Sequence, residues 1–165
     1  MIRPARVEDA PILAQAERAI AATPGLLVPQ PAEIIDERFA QKIAALGAAD
    51  NGHYLVAEAA GLLVGHGLLD PLPLAAVRHV VHLTLAVHPG WQGQGVGREL
   101  LGSLIAWARA AAAVEKIELN VRSSNAPAQA LYRSLGFTEI GRWRRRVKIA
   151  EGQYLDDVAM ELLVK

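Results

Sequence analysis

The sequence predicts a single α+β domain over residues 1–165. Apolar residues alternate with a period of two in some segments and recur about every 3.6 residues in others, which indicates strands and helices respectively. The predicted order is strand, helices, three strands, helix, strand, helix and two strands, with one strand–helix–strand crossover inside it. A length of 165 residues is typical of one domain.

Residues that start or end helices and strands occur along the whole chain. Asp9 and Pro11 mark the start of the first helix, and Gly47 is expected to end the second. Ala60-Gly61 suits a tight antiparallel hairpin. The predicted strands cover 2–3, 53–59, 62–69, 78–88 and 116–121, followed by two strands that meet at Glu151-Gly152; the predicted helices cover 9–20, 33–46, 96 to about 113, and 127–135.

The segment 21–31 between the first two helices has an unusual composition. It contains three prolines and a glycine, which cannot continue a helix. It also carries the apolar residues Leu26, Leu27 and Val28, which need a surface to pack on. We therefore expect this segment to lie over a pocket.

Charge and composition exclude several classes of function. Seventeen basic residues balance seventeen acidic ones, so no overall field attracts nucleic acid or an anionic membrane, and neither is expected as a partner. No apolar run is long enough to span a membrane, and the first residues do not resemble a secretory signal. The absence of cysteine excludes thiol catalysis and fits a reducing compartment, so we expect a cytoplasmic protein.

A glycine-rich turn joins the strand at 78–88 to the long helix. It reads Gln92-Gly93-Gln94-Gly95-Val96-Gly97-Arg98. Glycine lets the backbone approach a ligand, and the first N–H groups of a helix have no intrahelical partner, so such a turn can bind an anion. The turn lacks the Gly-Lys-Ser/Thr ending of a nucleoside triphosphate loop and the spacing of a dinucleotide fingerprint. Taken alone, it equally fits a tight strand-to-helix connection.

The spacing Gln-x-x-Gly-x-Gly resembles the pyrophosphate loop of the GCN5-related N-acetyltransferases. A second segment, Asn125 to Phe137, is similar to the one that this family carries after the next strand. The resemblance is strong over 81–137 and implies the family fold, a mixed, mostly antiparallel sheet of about six or seven strands flanked by about four helices. In that fold a V-shaped splay separates the two central parallel strands. The loop at 28–31 and the ending at 152–160 resemble, more loosely, the L-amino-acid and phosphinothricin acetyltransferase branch.

The resemblance implies acetyl-CoA as co-substrate. The backbone of the central strand would extend along the pantetheine arm like an added strand, and the loop amides would hold the pyrophosphate beside an arginine. Asn125 is also predicted from the residue pattern to cap the helix that begins with Ala126-Pro127. The implied cofactor-binding residues are Leu85, Ala86, Val87, Gln92, Gly93, Gln94, Gly95, Val96, Gly97, Arg98, Asn125 and Tyr132.

Tyr132 is the predicted catalytic acid. It occupies the position where the family often has a tyrosine that protonates the departing CoA thiolate. A phenol has an unperturbed pKa of about 10 and is therefore protonated at neutral pH, so it can act as an acid or as a hydrogen-bond donor. Without the surrounding motif, a tyrosine on such a helix would more often be a packing residue.

His82 is the predicted catalytic base, because an ammonium group must lose a proton before or during its attack; a chain of water molecules is the alternative route for that proton. It occupies the position where phosphinothricin-type relatives carry a carboxylate, and an imidazole can take up a proton near neutral pH. A histidine on an apolar strand also fits a structural role, and Glu58, His66 and Asp70 are weaker candidates. The histidines His79, His82 and His88 have no second ligand type at metal spacing, so no metal is expected, and His88 is expected to be structural.

The predicted function is transfer of acetyl from acetyl-CoA to the primary amine of a small molecule by direct attack. Two alternatives remain open, acetylation of a protein N-terminus or lysine, and a non-catalytic CoA-binding module. The apolar, proline-stiffened segment 21–31 favours a small acceptor because a loop closing over the site would exclude a large one. The resemblance also implies a homodimer, to which the apolar strand at 158–164 is expected to contribute.

Overall fold

A computed structural model describes residues 1–165 as one seven-stranded mixed sheet with helices on both faces. The strands are β1 (Ile2–Pro4), β2 (His53–Ala59), β3 (Leu62–Pro71), β4 (Val80–Val87), β5 (Lys116–Arg122), β6 (Thr138–Ala150) and β7 (Gln153–Leu163); the helices are α1 (Ala10–Ala21), α2 (Asp36–Ala48), α3 (Val96–Ala110) and α4 (Ala126–Ser134). The sheet order is β1-β2-β3-β4-β5-β7-β6. The predicted α+β class and the predicted order of elements are both confirmed.

The two central strands, β4 and β5, form the one parallel pair and separate part-way along their length. Their pairing covers three residues of each strand, Val80–His82 against Lys116–Glu118. On its other side β4 stays paired with β3 as far as Val87. Beyond His82, the edge of β4 that faces β5 therefore has free backbone N–H and C=O groups. This V-shaped gap confirms the predicted splay.

Helices cover the two faces of the sheet differently. On one face α3 packs closely on β3, because Gly65 and Gly67 have no side chains there. A Cβ atom at Gly65 would lie 3.0 Å from Val96 Cγ1, and one at Gly67 would lie 2.9 Å from Leu104 Cδ1. On the other face α1 and α2 cover a smaller core that includes Leu13 of α1, Ile43 of α2 and Tyr54 of β2. The segment that leads from α1 to α2 therefore lies on the same side of the sheet as α1.

Three helix boundaries differ from the prediction by two residues or more. α2 begins at Asp36, because residues 31–33 form a separate 3-10 turn in which the Gln30 N–H donates to Glu33 Oε2 at 2.8 Å. It also continues through Gly47, which is exposed with open space around it, and the chain becomes extended only at Ala49. α3 ends at Ala110, earlier than expected.

The strand at 158–164, which is expected to contribute to a dimer, has no free edge for such a contact. This segment belongs to β7, which pairs with β5 on one side and β6 on the other. Val158 and Met160 are fully buried in the core of this chain. The open edges of the sheet are β1, which is very short, and β6.

Candidate active site

The glycine-rich turn between β4 and α3 depends on backbone conformations that glycine adopts readily. Gly93 and Gly95 have φ angles of +73° and +86°, in the left-handed region. Gly95 is the N-cap of α3, so the free N–H groups of the first turn of that helix follow directly after it. The turn thus ends in a set of unpaired donors at the positive end of a helix dipole.

Two glutamines hold this turn in shape. The side chain of Gln92 accepts a hydrogen bond from the Gly90 N–H at 3.0 Å and donates one to the Val87 carbonyl at 3.2 Å. Gln94 donates to the Gly90 carbonyl at 2.9 Å. The backbone of the turn is therefore braced by its own side chains.

A cavity of about 530 Å³ extends from this turn into the V-shaped gap. It is the larger of two cavities that matter for the site, and is called the larger cavity below. Ten of the twelve predicted cofactor-binding residues line it: Leu85, Ala86, Val87, Gln92, Gly93, Gly95, Gly97, Arg98, Asn125 and Tyr132. Gln94 and Val96 are not among the lining residues, because Gln94 bonds to Gly90 and Val96 lies toward Gly65 of β3. Ile20 of α1 and the loop residues Leu26 and Leu27 also line the cavity, as expected for a segment that packs over a pocket.

Helix α4 contributes the other wall of the larger cavity. Asn125 Oδ1 accepts a hydrogen bond from the Ala128 N–H at 3.2 Å, so Asn125 caps the helix as well as lining the cavity. Tyr132 packs against Phe137, and burial raises the pKa of its phenol to about 12. The phenol is therefore protonated across the physiological pH range. Arg98 donates to Ser134 Oγ at 2.9 Å, which joins the start of α3 to the end of α4.

His82 lies where β4 and β5 begin to separate. Its Nε2 is 3.5 Å from the Asn120 side-chain amide. Burial lowers the pKa of His82, and the nearby carboxylates of Glu118 and Asp70 oppose that shift without cancelling it. The imidazole is therefore neutral at pH 7, as a base must be. His82 is not, however, among the residues that line either of the two cavities described here.

The weaker candidates for the base have other partners. Glu58 accepts a hydrogen bond from Arg3 at 3.0 Å, and Asp70 pairs with Lys42 at 2.5 Å. His66 is completely buried and contacts Glu17 and His88. His88 is itself buried, in agreement with a structural position after β4.

A smaller cavity of about 240 Å³ lies between α1, α2 and the sheet. It is lined by Glu17, Arg38, Phe39, Lys42, Tyr54, Leu68, Asp70 and Thr84. The Tyr54 hydroxyl is buried and has no hydrogen-bond partner, and burial, with the Glu17 charge adding to it, raises the pKa of that phenol. A protonated, unsatisfied hydroxyl is a ready donor for a ligand. The sequence did not predict this cavity, because the pattern on β2 marks Tyr54 only as a core residue.

The two cavities are neighbours along the same helix and the same strand. Glu17 lines the smaller cavity and Ile20 the larger one, and these residues lie one turn apart on α1. Thr84 and Ala86 likewise line one cavity each and point to the same face of β4. A molecule in one cavity can therefore meet a molecule in the other beside β4.

The structure contains no group of three or more metal-ligating side chains that could hold an ion. None of its helices combines the length and the apolar character needed to cross a bilayer.

Comparison with known proteins identifies the family. The model of the acetyltransferase (GNAT) family matches residues 21–137, which include the glycine-rich turn, the V-shaped gap and α4. The chain belongs to the GNAT acetyltransferase family. The motif resemblance and the family model therefore assign this GNAT chain to the same family.

This GNAT chain is similar in sequence to curated acetyltransferases and in fold to solved structures. It is 38% identical over 104 residues to the N-alpha-acetyltransferase RimI of Mycobacterium tuberculosis, covering 62% of this chain and 63% of that protein. It is 32% identical over 102 residues to the L-amino acid N-acetyltransferase AaaT of Escherichia coli, covering 62% of each chain. The matches thus span about three fifths of these curated relatives. The structure of YncA from Salmonella typhimurium with its cofactor acetyl-CoA superposes with a TM-score of 0.90 at 25% identity, covering 100% of this chain and 94% of that one.

Proposed function

We propose that this protein transfers an acetyl group from acetyl-CoA to the primary amine of a small, amino-acid-like molecule. The observation that carries the proposal is the pair of neighbouring cavities, one larger and lined by the glycine-rich turn with its backbone donors, the other smaller and lined by charged side chains. The larger would hold the acetyl donor and the smaller the amine. Both open beside β4, so the two reactants would meet there.

The residues of the larger cavity fit acetyl-CoA. The free N–H groups at the start of α3 and the guanidinium of Arg98 suit a pyrophosphate. The unpaired edge of β4 at Leu85–Val87 suits a chain of amide groups that adds to the sheet as a strand would. Acetyl-CoA, once bound, supplies a thioester carbonyl as the site of attack by the amine.

The residues of the smaller cavity fit a zwitterion. Lys42 and Asp70 pair with each other, so the groups left for a zwitterion are the carboxyl group of Glu17, which suits an ammonium group, and the guanidinium of Arg38, which suits a carboxylate. A volume of about 240 Å³ suits a molecule the size of an amino acid. The similarity to the E. coli L-amino acid N-acetyltransferase AaaT supports the same class of acceptor.

Tyr132 is proposed as the acid that gives a proton to the leaving thiolate. It lines the larger cavity and holds its proton at neutral pH. His82 remains the base predicted from sequence, and its neutral imidazole supports that role. Its place outside the lining of both cavities would require a water molecule between His82 and the amine.

The test is release of free thiol from acetyl-CoA in the presence of a panel of amines. We expect turnover with free amino acids or close analogues, and little with polyamines, which lack a carboxylate for Arg38. Tight binding of CoA without turnover on any amine would instead support a non-catalytic CoA-binding module.

Acetylation of a protein N-terminus is the second candidate. The 38% identity to the mycobacterial N-alpha-acetyltransferase RimI favours it. The same panel should therefore include short peptides with free N-termini. Peptides that turn over faster than every free amino acid would favour this candidate, because a peptide presents the ammonium group without a nearby carboxylate.

We also propose that the protein acts in the cytoplasm as a homodimer. The absence of cysteine supports a reducing compartment. The open edge strand β6 carries the exposed apolar residues Ile140 and Trp143, which suits contact with a second copy.

A further inference from the structure

Three titratable side chains from distant parts of the chain form one buried hydrogen-bonded row. Glu17 Oε1 of α1 lies 3.0 Å from His66 Nε2 of β3. His66 Nδ1 lies 3.0 Å from His88 Nε2, and His88 Nδ1 lies 2.8 Å from the Leu63 carbonyl oxygen. We call Glu17, His66 and His88 the α1–β3 row.

The α1–β3 row requires a proton beyond those of two neutral imidazoles and a carboxylate. Each of its three contacts needs one hydrogen atom between its two heavy atoms. The Leu63 carbonyl can only accept, so His88 Nδ1 must donate to it, and two further protons are needed at the other contacts. Two neutral imidazoles supply two protons in all. The third must therefore be an additional proton bound by the row.

The additional proton belongs to the contact between Glu17 and His66. Burial lowers the pKa of His88, and the neighbouring His66 adds to the shift, so His88 is neutral and its Nε2 accepts from His66 Nδ1. The remaining contact is then either an imidazolium with a carboxylate or a neutral imidazole with a carboxylic acid. In both descriptions one proton lies between Glu17 and His66, and its loss would leave two lone pairs facing each other at 3.0 Å.

Glu17 connects this buried proton to the smaller cavity. The His66 side chain is 0% exposed, whereas that of Glu17 is 14% exposed and lines the cavity. The other titratable or charged groups around the cavity are Arg38 and Lys42 from α2, Tyr54 from β2 and Asp70 from β3. Lys42 and Asp70 pair with each other, which leaves Glu17 as the carboxylate in the cavity without a cationic lysine or arginine partner.

We propose that Glu17, with His66 and His88 behind it, accepts the proton that the acceptor ammonium must lose. The row first releases its additional proton to water through the cavity mouth. An N–H bond of the ammonium then breaks, and its proton joins the emptied row at Glu17 or His66 while the nitrogen keeps the electron pair, which returns the row to its resting state. Glu17 is the catalytic residue in this step, and His66 and His88 are positioning residues. The inference rests on the proposed function, because it needs the amine in the smaller cavity.

Glu17→Gln is the discriminating variant. Its amide NH₂ can still donate to neutral His66 Nε2, so all three contacts remain satisfied, but the amide cannot take up a proton. We expect kcat/KM for the amine to fall about 100-fold at neutral pH. The deficit should shrink as the pH rises above the pKa of the amine, because free amine is then abundant in solution. KM for acetyl-CoA should not change.

Three comparison variants complete the kinetic test. Glu37→Gln makes the same change at an exposed position of α2 and should behave as wild type. Glu17→Asp keeps a carboxylate and should restore part of the activity together with the wild-type pH profile. His82→Ala tests the rival base: a pH-dependent loss of activity in His82→Ala with none in Glu17→Gln would assign the proton to His82 and overturn the proposal. Wild-type activity in Glu17→Gln, or a deficit of the same size at every pH, would overturn the proposal.

A measurement on the resting protein tests the row independently of turnover. Imidazole ¹⁵N and carboxyl ¹³C spectra should show both His66 nitrogens protonated beside an ionised Glu17, or His66 Nε2 bare beside a protonated Glu17. A bare Nε2 beside an ionised Glu17 near neutral pH would overturn the inference. If no amine is turned over, the proposed function fails; if wild type is active and either test above fails, only the role of Glu17 is lost.

Discussion

Tyr132 shows how one side chain combines packing and chemistry. Its ring packs against Phe137 while the residue lines the larger cavity, and the burial that this packing produces also raises the pKa of the phenol to about 12. A higher pKa keeps the acid in its protonated form. The same contacts therefore stabilise the core and keep a proton available in the cavity.

Replacing Tyr132 by phenylalanine should remove the proton and keep the packing. We expect kcat to fall about 100-fold, since a positioned acid contributes on that order, with little change in the affinity for CoA. Steady-state kinetics measure the first quantity and titration calorimetry with CoA the second. Unchanged kcat would show that another group protonates the thiolate.

The pH profile of the wild type provides a further check on Tyr132. Because the pKa is raised, the acid form persists as the pH increases, so kcat should decline through loss of this proton only as the pH approaches about 12. A decline near pH 10, absent in Tyr132→Phe, would contradict the buried environment.

At the scale of elements, the connection between β4 and α3 determines the shape of the larger cavity. The strand ends at the V-shaped gap, the turn reverses the chain with left-handed glycines, and the helix begins with its N–H groups free. Gly95 contributes only its backbone conformation, since a Cβ atom there would meet nothing within 4 Å. A substitution at Gly95 therefore isolates the cost of the left-handed angle.

Gly95→Ala should lower the free energy of unfolding by about 1 to 2 kcal/mol and weaken the binding of CoA. The alanine either strains the turn or moves the amides of the first helical turn. Thermal or chemical denaturation and calorimetry with CoA measure the two effects. A stable variant that binds CoA normally would show that the loop tolerates a different backbone path.

Gly102→Ala is the matched control on the same helix. Its position has no neighbour within 4 Å and lies inside α3, where alanine is favoured over glycine. We expect this variant to be more stable than wild type by about 0.5 to 1 kcal/mol, with unchanged affinity for CoA.

At the scale of the whole molecule, the order of the strands decides which surfaces are open. β7 lies between β5 and β6, so it has no free edge, and its residues Val158 and Met160 belong to the core of one chain. β6 is the outer strand, with Ile140 and Trp143 exposed by 53% and 57% of their surface. Any dimer formed through a long sheet edge must therefore use β6.

Trp143→Lys should convert the proposed dimer to a monomer, because a lysine at the edge disfavours pairing between sheets. Light scattering on the purified protein measures the mass of both forms. Leu62→Lys replaces another exposed apolar residue, 59% accessible and on the opposite side of the sheet order, and should leave the mass unchanged. A wild type that is monomeric would refute the proposed homodimer.

The sequence alone determined the features that depend on neighbouring residues. Hydrophobic periodicity predicted the strands and helices, and Ala60-Gly61 predicted the hairpin between β2 and β3, where both residues have positive φ. The glycine-rich turn and the segment from Asn125 to Tyr132 predicted most of the larger cavity. These features could be predicted because turns, caps and amphipathic faces are encoded within a few residues.

Only the tertiary structure decided which distant side chains meet. His66 lies 49 positions from Glu17 and 22 from His88, and no local pattern relates residues so far apart. Their contacts follow from the packing of α1 against β3 and from the antiparallel register of β3 with the end of β4. For the same reason the sequence could nominate His82 as the base from its position on β4, whereas the place of Glu17 in the smaller cavity depended on how the helices pack on the sheet.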